Sequence, residues 1–169
     1  MKESDNIERS EILDDDLFED ISYELDAYIS ESSDPGMTYR EEVVTFFISA
    51  INHSFNNTMT TYEKTLLAEI ESAWFSADAI NKVLLNNIRK EVNRYEESLP
   101  IENITHRYLA ESLKFLTSEF YPEDENEHSI SLIWLIISGL LGAGISPEWL
   151  HGRLVESFSE HISDQYKNK

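Results

Sequence analysis

Two Glu-x-x-His pairs, Glu125–His128 and Glu148–His151, have the spacing with which helical bundles hold metal ions. Residues three apart share a helix face, so a carboxylate and an imidazole can close on one cation. A di-iron bundle needs two such pairs in mid-helix and a glutamate from each of two further helices. Glu125–His128 falls in "YPEDENEH", which reads as a loop. Glu69 and Glu111, the remaining donors, stand off the apolar faces of their helices. No metal and no cofactor is therefore expected. The chain has no cysteine, so a nucleophile would be Ser or Thr, and no G-x-S-x-G turn exposes one. Glu8 and Glu11 have the E-x-x-E spacing of magnesium-dependent pyrophosphatases, but in a ragged N-terminal stretch. The many other carboxylates lie on polar helix faces, where solvation makes them poor general acids. No catalytic residue is assigned, and the chain reads as a non-enzyme.

The elements that would position such groups are helical throughout, because apolar residues recur every three or four positions and nowhere alternate at length. A first helix over 11–30 carries Leu13, Leu17, Ile21, Leu25 and Tyr28 as one stripe, and acids cover the rest. A second starts at Thr38, where Thr38 and Glu41 have capping-box spacing, and buries Val44, Phe47, Ile48, Ile51 and Phe55. A second box, Thr60 and Glu63, opens a third on Leu66, Leu67, Ile70 and Trp74, with Phe75 as a further candidate for that face. Ile80, Leu84, Ile88, Val92 and Tyr95 make a fourth stripe, either a new helix or a continuation, which Leu99-Pro100 stops. A fifth spans 103–120 on Leu109, Leu113, Leu116 and Phe120. Ser146-Pro147 starts the last, which runs to about Tyr166 on Leu150, Leu154, Phe158 and Ile162.

Between these lies "SISLIWLIISGLLGAGISPEWL", uncharged from Ser129 to Pro147. A membrane span needs about 20 apolar residues. Here "GAGISP" ends the helix after about 13, or about 20 Å at 1.5 Å per residue. Acids rather than Lys or Arg flank it. A helix apolar on every side is enclosed on every side. The predicted fold is all-α: a compact single-domain bundle of six to seven helices around a central hydrophobic helix at about 129–142. Gly139 lets one neighbour come close. Residues 1–10 are expected to be a flexible acidic N-terminus, 11–166 one domain, and 167–169 a frayed tail. Trp74, Trp134 and Trp149 fall at or beside apolar positions and are read as core, whereas Phe46 turns partly away from the stripe that Phe47 joins, to be exposed or to pack on a neighbour.

The charge points to function. Asp and Glu number 33 against 13 Lys and Arg, a net −20. Residues 1–35 alone hold 13 acids and 2 bases. Such a field repels nucleic-acid phosphates and anionic lipid and draws in basic proteins. The short basic run "NNIRKEVNR" is interrupted by Glu91 and does not reverse this. Neither direct nucleic-acid binding nor membrane association is expected. With no apolar leader segment and no cysteine, the chain is read as cytoplasmic. The reading that needs no catalytic motif is an acidic binding protein that neutralises a basic partner, as bacterial immunity or antitoxin-type inhibitors neutralise cationic toxins, nucleases among them. Its expected surface is the polar face of the first helix: Asp14, Asp15, Asp16, Glu19, Asp20 and Glu24, with Tyr23 or Tyr28 as aromatic anchors. A phage-type DNA mimic that blocks a nucleic-acid-binding defence enzyme is the alternative, and it requires acids spread along an elongated surface. A third reading is an oligomeric scaffold whose homo-oligomer forms through the apolar helix 129–142.

Overall fold

The computed structural model describes residues 16–29, 37–76, 81–118 and 131–168, and every regular element among them is an α-helix. Helix α1 covers 16–29. It is followed by α2 (Met37–Phe55), α3 (Thr61–Trp74), α4 (Lys82–Ser98), α5 (Ile104–Leu116), α6 (Leu132–Ala143), α7 (Pro147–Ser157) and the short α8 (Asp164–Lys167). The expected all-α bundle is what forms, with eight helices among the described residues rather than six or seven. Residues 1–10 lie outside the described residues, as do Glu125, His128 and Phe120.

The apolar stripes meet in one continuous core. Ile21 and Leu25 of α1, Val44, Phe47 and Ile51 of α2, Ile70 of α3 and Val92 of α4 are fully shielded, as are Leu109 and Leu113 of α5, Ile136 and Ile137 of α6 and Leu154 of α7. Burying each such aliphatic side chain contributes about 1.5–3 kcal/mol before entropy is counted. Phe46 is buried too, edge-on to Phe47 and to Phe158, so of the two outcomes expected of it, exposure or packing on a neighbour, the second is what forms. Consecutive helices from α2 to α6 pack on one another, and α3 also meets α5. Trp74, at the end of α3, donates its Nε1–H to the carbonyl of Leu116, 2.8 Å away, fastening α3 to the end of α5.

Local chemistry places the boundaries. The Thr60–Glu63 capping box forms in full: Glu63 N–H donates to Thr60 Oγ1 at 3.1 Å, and Thr60 N–H donates to Glu63 Oε1 at 2.8 Å. Helix α2 begins at Met37, one residue ahead of the start expected at Thr38. Asn81 caps α4 by accepting from Leu84 N–H, so α3 and α4 are separate helices. At the end of α6, Gly144 takes φ +104°, and Ile145 N–H reaches back to Leu140 O while Gly144 N–H reaches Leu141 O. That Schellman closure needs a residue without a Cβ penalty at the left-handed position. Ser146 then caps α7 with Pro147 in its first turn.

Phe75 is 41% exposed and leaves the α3 face it was a candidate for. Two larger expectations change. The last helix does not run unbroken to Tyr166: α7 ends at Ser157, a turn covers 158–163, and α8 follows. Phe158 and Ile162 still face the core, so the four-residue spacing reported burial correctly but not helicity. Serines at 157, 159 and 163 favour turns over helix interior, and the turn lets a carboxylate of α1 reach the backbone at Ser163. Lys167, expected in the tail, closes α8 and pairs with Asp164 at 3.1 Å. The second change concerns α6. Ile133, Ile136, Ile137, Gly139, Leu140 and Ala143 are buried, but Leu132, Trp134, Leu135, Ser138 and Leu141 are half-buried and Gly142 is exposed. It is a core helix with one thinly covered side. Its main neighbour is α5. A Cβ on Gly139 would overlap Ser112 Oγ and sit 3.0 Å from Tyr108 O. The close approach expected of Gly139 is thus real, and it lets Ser112 donate to Ile136 O at 3.0 Å across the interface. Among the described residues no helix is long and apolar enough to cross a membrane.

Candidate partner-binding surface

Helix α1 carries five acids, Asp16, Glu19, Asp20, Glu24 and Asp26, and no base. Its apolar stripe of Leu17, Phe18, Ile21, Leu25 and Ile29 is buried, which leaves the acids for the opposite side. Of the predicted surface, Asp14 and Asp15 lie outside the described residues. Asp16 and Asp20 are exposed, Glu19 is half-buried, and Tyr23 is 49% exposed. Positions 16, 19, 20 and 23 follow one another at three- and four-residue steps, so they form one row. Tyr23 donates its hydroxyl to Glu19 Oε1 at 3.4 Å. Desolvation, together with the charges of Glu19, Asp26 and Asp20, holds that hydroxyl above the ordinary tyrosine value. Among the described residues no cation pairs with Asp16, Glu19 or Asp20.

Two residues read as part of that face work inward. Glu24 is half-buried, and its carboxylate accepts the backbone N–H of Ser163 at 2.7 Å and the Ser163 hydroxyl. It fastens α1 to the start of α8. Tyr28 is no anchor: its ring stacks on His161 with centroids 3.4 Å apart, and its hydroxyl donates to Glu42 Oε2 at 3.1 Å. Asp26 shows a third behaviour. Burial pushes its carboxyl up from 3.8 to about 6, against a hydrogen bond from Ser131 that pulls the other way. Ser131 caps α6, so Asp26 sits at the junction of α1 and α6. The acids of α1 thus divide into a solvent-facing row and two docking groups, and their spacing alone does not separate the classes.

The strongest polar cluster of the core went unread in the sequence. Glu63 is fully buried, and its two carboxylate oxygens each lie 2.8 Å from His106 Nδ1 while Oε1 also accepts from Thr60 N–H. Burial, followed by the charge of nearby Glu63, raises the Tyr95 hydroxyl above its ordinary value. His106 stands in the first turn of α5, 43 residues from Glu63, and nothing local links the two. A buried carboxylate beside an imidazole is the pairing used for proton transfer. Here it fastens the start of α3 to the start of α5. The Glu-x-x-His spacing on α7 also resolves into separate bonds: Glu148 accepts from Ser146 Oγ at 3.3 Å, and His151 Nε2 meets the carbonyl of Tyr166 at 2.6 Å. A groove of about 620 Å3 beside α2 and α3, lined by Thr45, Ser49, Asn52, Asn56, Glu71 and Phe75, holds none of the predicted residues. No known protein family, no curated protein and no solved structure matches the chain.

Proposed function

We propose that the chain is a non-enzymatic binding protein that captures and neutralises a basic protein, in the manner of an immunity or antitoxin-type inhibitor of a cationic toxin. The observation that carries this is the row Asp16, Glu19, Asp20 and Tyr23 on α1: carboxylates with no cation beside them among the described residues and an exposed aromatic in their midst. A partner's Lys or Arg would gain charge-assisted hydrogen bonds there without first breaking internal ion pairs, and the net −20 speeds encounter. The mixed charge of α4, with Lys82, Arg89, Lys90 and Arg94 among its acids, favours a single patch over a phosphate-like array along the whole molecule. Capture from bacterial lysate by the immobilised chain, set beside its Asp16→Lys/Glu19→Lys/Asp20→Lys variant, tests the proposal. The expected result is a cationic protein retained by the wild type at about 0.1 M salt, released by the variant and by higher salt, and inactivated by stoichiometric addition of the chain. Retention indifferent to the three reversals would refute the surface, and a captured protein that keeps its activity would refute inhibition.

A further inference from the structure

Ile101 and Ile104 are 80% and 56% exposed, and Tyr108 is 41% exposed. These residues belong to one surface. Ile101 lies just ahead of α5, Ile104 opens it, and Tyr108 follows one turn on, its ring against Gly142 of α6. With Glu96, Arg107 and Glu111 they line a groove of about 330 Å3. Isolated exposed apolar residues are ordinary, but a contiguous group around a groove marks a contact site.

Charge indicates what covers it. From Lys82 to Leu116, six bases meet five acids, a net +1 in a chain of net −20. A second copy is repelled by α1, with five acids and no base, and is not repelled here. The face also complements itself. Arg107 donates to Leu99 O at 3.1 Å but has no carboxylate partner among the described residues, and Glu111 has no cation. Helical spacing puts 104, 107, 108 and 111 on one face. If α5 of a second copy lies antiparallel along this face, Arg107 of each copy stands opposite Glu111 of the other, with Tyr108 beside the axis and Ile104 flanking the pairs on the outside. A two-fold interface requires this reciprocity.

We propose that the chain forms a two-fold symmetric homodimer through the outer face of α5, with reciprocal Arg107–Glu111 pairs and Tyr108 about its axis and Ile101 and Ile104 flanking them. The surface differs from the apolar helix expected from the sequence to mediate self-association, and the proposal stands apart from the role given to α1. Sedimentation of the full chain over about 5–200 µM reads it. The wild-type mass should approach twice 19.6 kDa as concentration rises. Ile101→Glu/Ile104→Glu should keep the single-chain mass throughout with an unchanged helical circular dichroism spectrum. Glu111→Arg should weaken dimerisation about tenfold, and adding Arg107→Glu should restore it to within about threefold of wild type. A wild-type chain that stays single at the highest concentration overturns the proposal, as does a dimer untouched by the two isoleucine changes. A charge swap no tighter than Glu111→Arg alone overturns the reciprocal pairing.

Discussion

Asp26→Asn should make the protein more stable at neutral pH, although it removes one of the acids of α1. The Asp26 carboxyl is held at about 6 by burial against the cap of α6, up from 3.8. A raised acid binds its proton more tightly folded than unfolded, so stability is greatest below the unfolded value and falls as pH climbs from about 4 to about 6. Above that window the folded state carries the whole desolvation cost, about 3 kcal/mol for a rise of this size. Asparagine keeps a hydrogen-bonding group for Ser131 without the charge. The variant should therefore gain up to about 3 kcal/mol at about pH 7.5, with about 1.4 kcal/mol of that advantage gone by about pH 5.0. Urea unfolding followed by far-ultraviolet dichroism at those two pH values measures it. The lower pH stays above the isoelectric point near 4.4, where solubility falls. The comparison of the two proteins at each pH isolates the contribution of Asp26. A variant no more stable than wild type at neutral pH, or one whose advantage is the same at both pH values, would show that Asp26 is better solvated than its position implies.

Three further perturbations probe the scaffold. His106→Ala should cost about 3–5 kcal/mol in chemical denaturation, because it strands the fully buried Glu63; adding Glu63→Gln should recover most of the loss, and failure to do so would mean the imidazole contributes packing alone. Gly139→Ala should cost about 1–3 kcal/mol by thrusting a methyl group into Ser112 and the Tyr108 carbonyl, readable as a lower melting temperature. Thr60→Ala should cost about 1 kcal/mol through loss of the α3 cap, and Thr60→Ser should be close to neutral.

Much of the architecture was written in local patterns. The spacing of Leu109, Leu113 and Leu116 placed α5 and its buried face, Thr60 with Glu63 fixed the start of α3, and Ser146-Pro147 fixed that of α7. What escaped depends on contacts far apart in the chain. Nothing near Glu24 says that its carboxylate will leave the acidic row for the Ser163 amide, and nothing near His106 announces Glu63. The break after Ser157 was hidden because a helix and a compact turn both bury residues 158 and 162. The thin cover over one side of α6 was hidden for the opposite reason: apolar side chains all round describe what a helix prefers, not what its neighbours supply. Within the candidate surface, composition identified the helix and the exposed row, while the division of its acids into outward and inward groups required the fold.

The bond between Glu24 and Ser163 spans 139 positions of sequence. Contacts of such separation close large loops and are the slowest to form. During synthesis α1 emerges long before the turn that receives it, so Leu17, Phe18, Ile21 and Leu25 wait without their final cover while the rest of the bundle is made. The density of carboxylates on that helix already acts at this stage. It keeps an unfinished amphipathic segment apart from the copies emerging beside it on the same messenger, through like-charge repulsion that needs no folded structure.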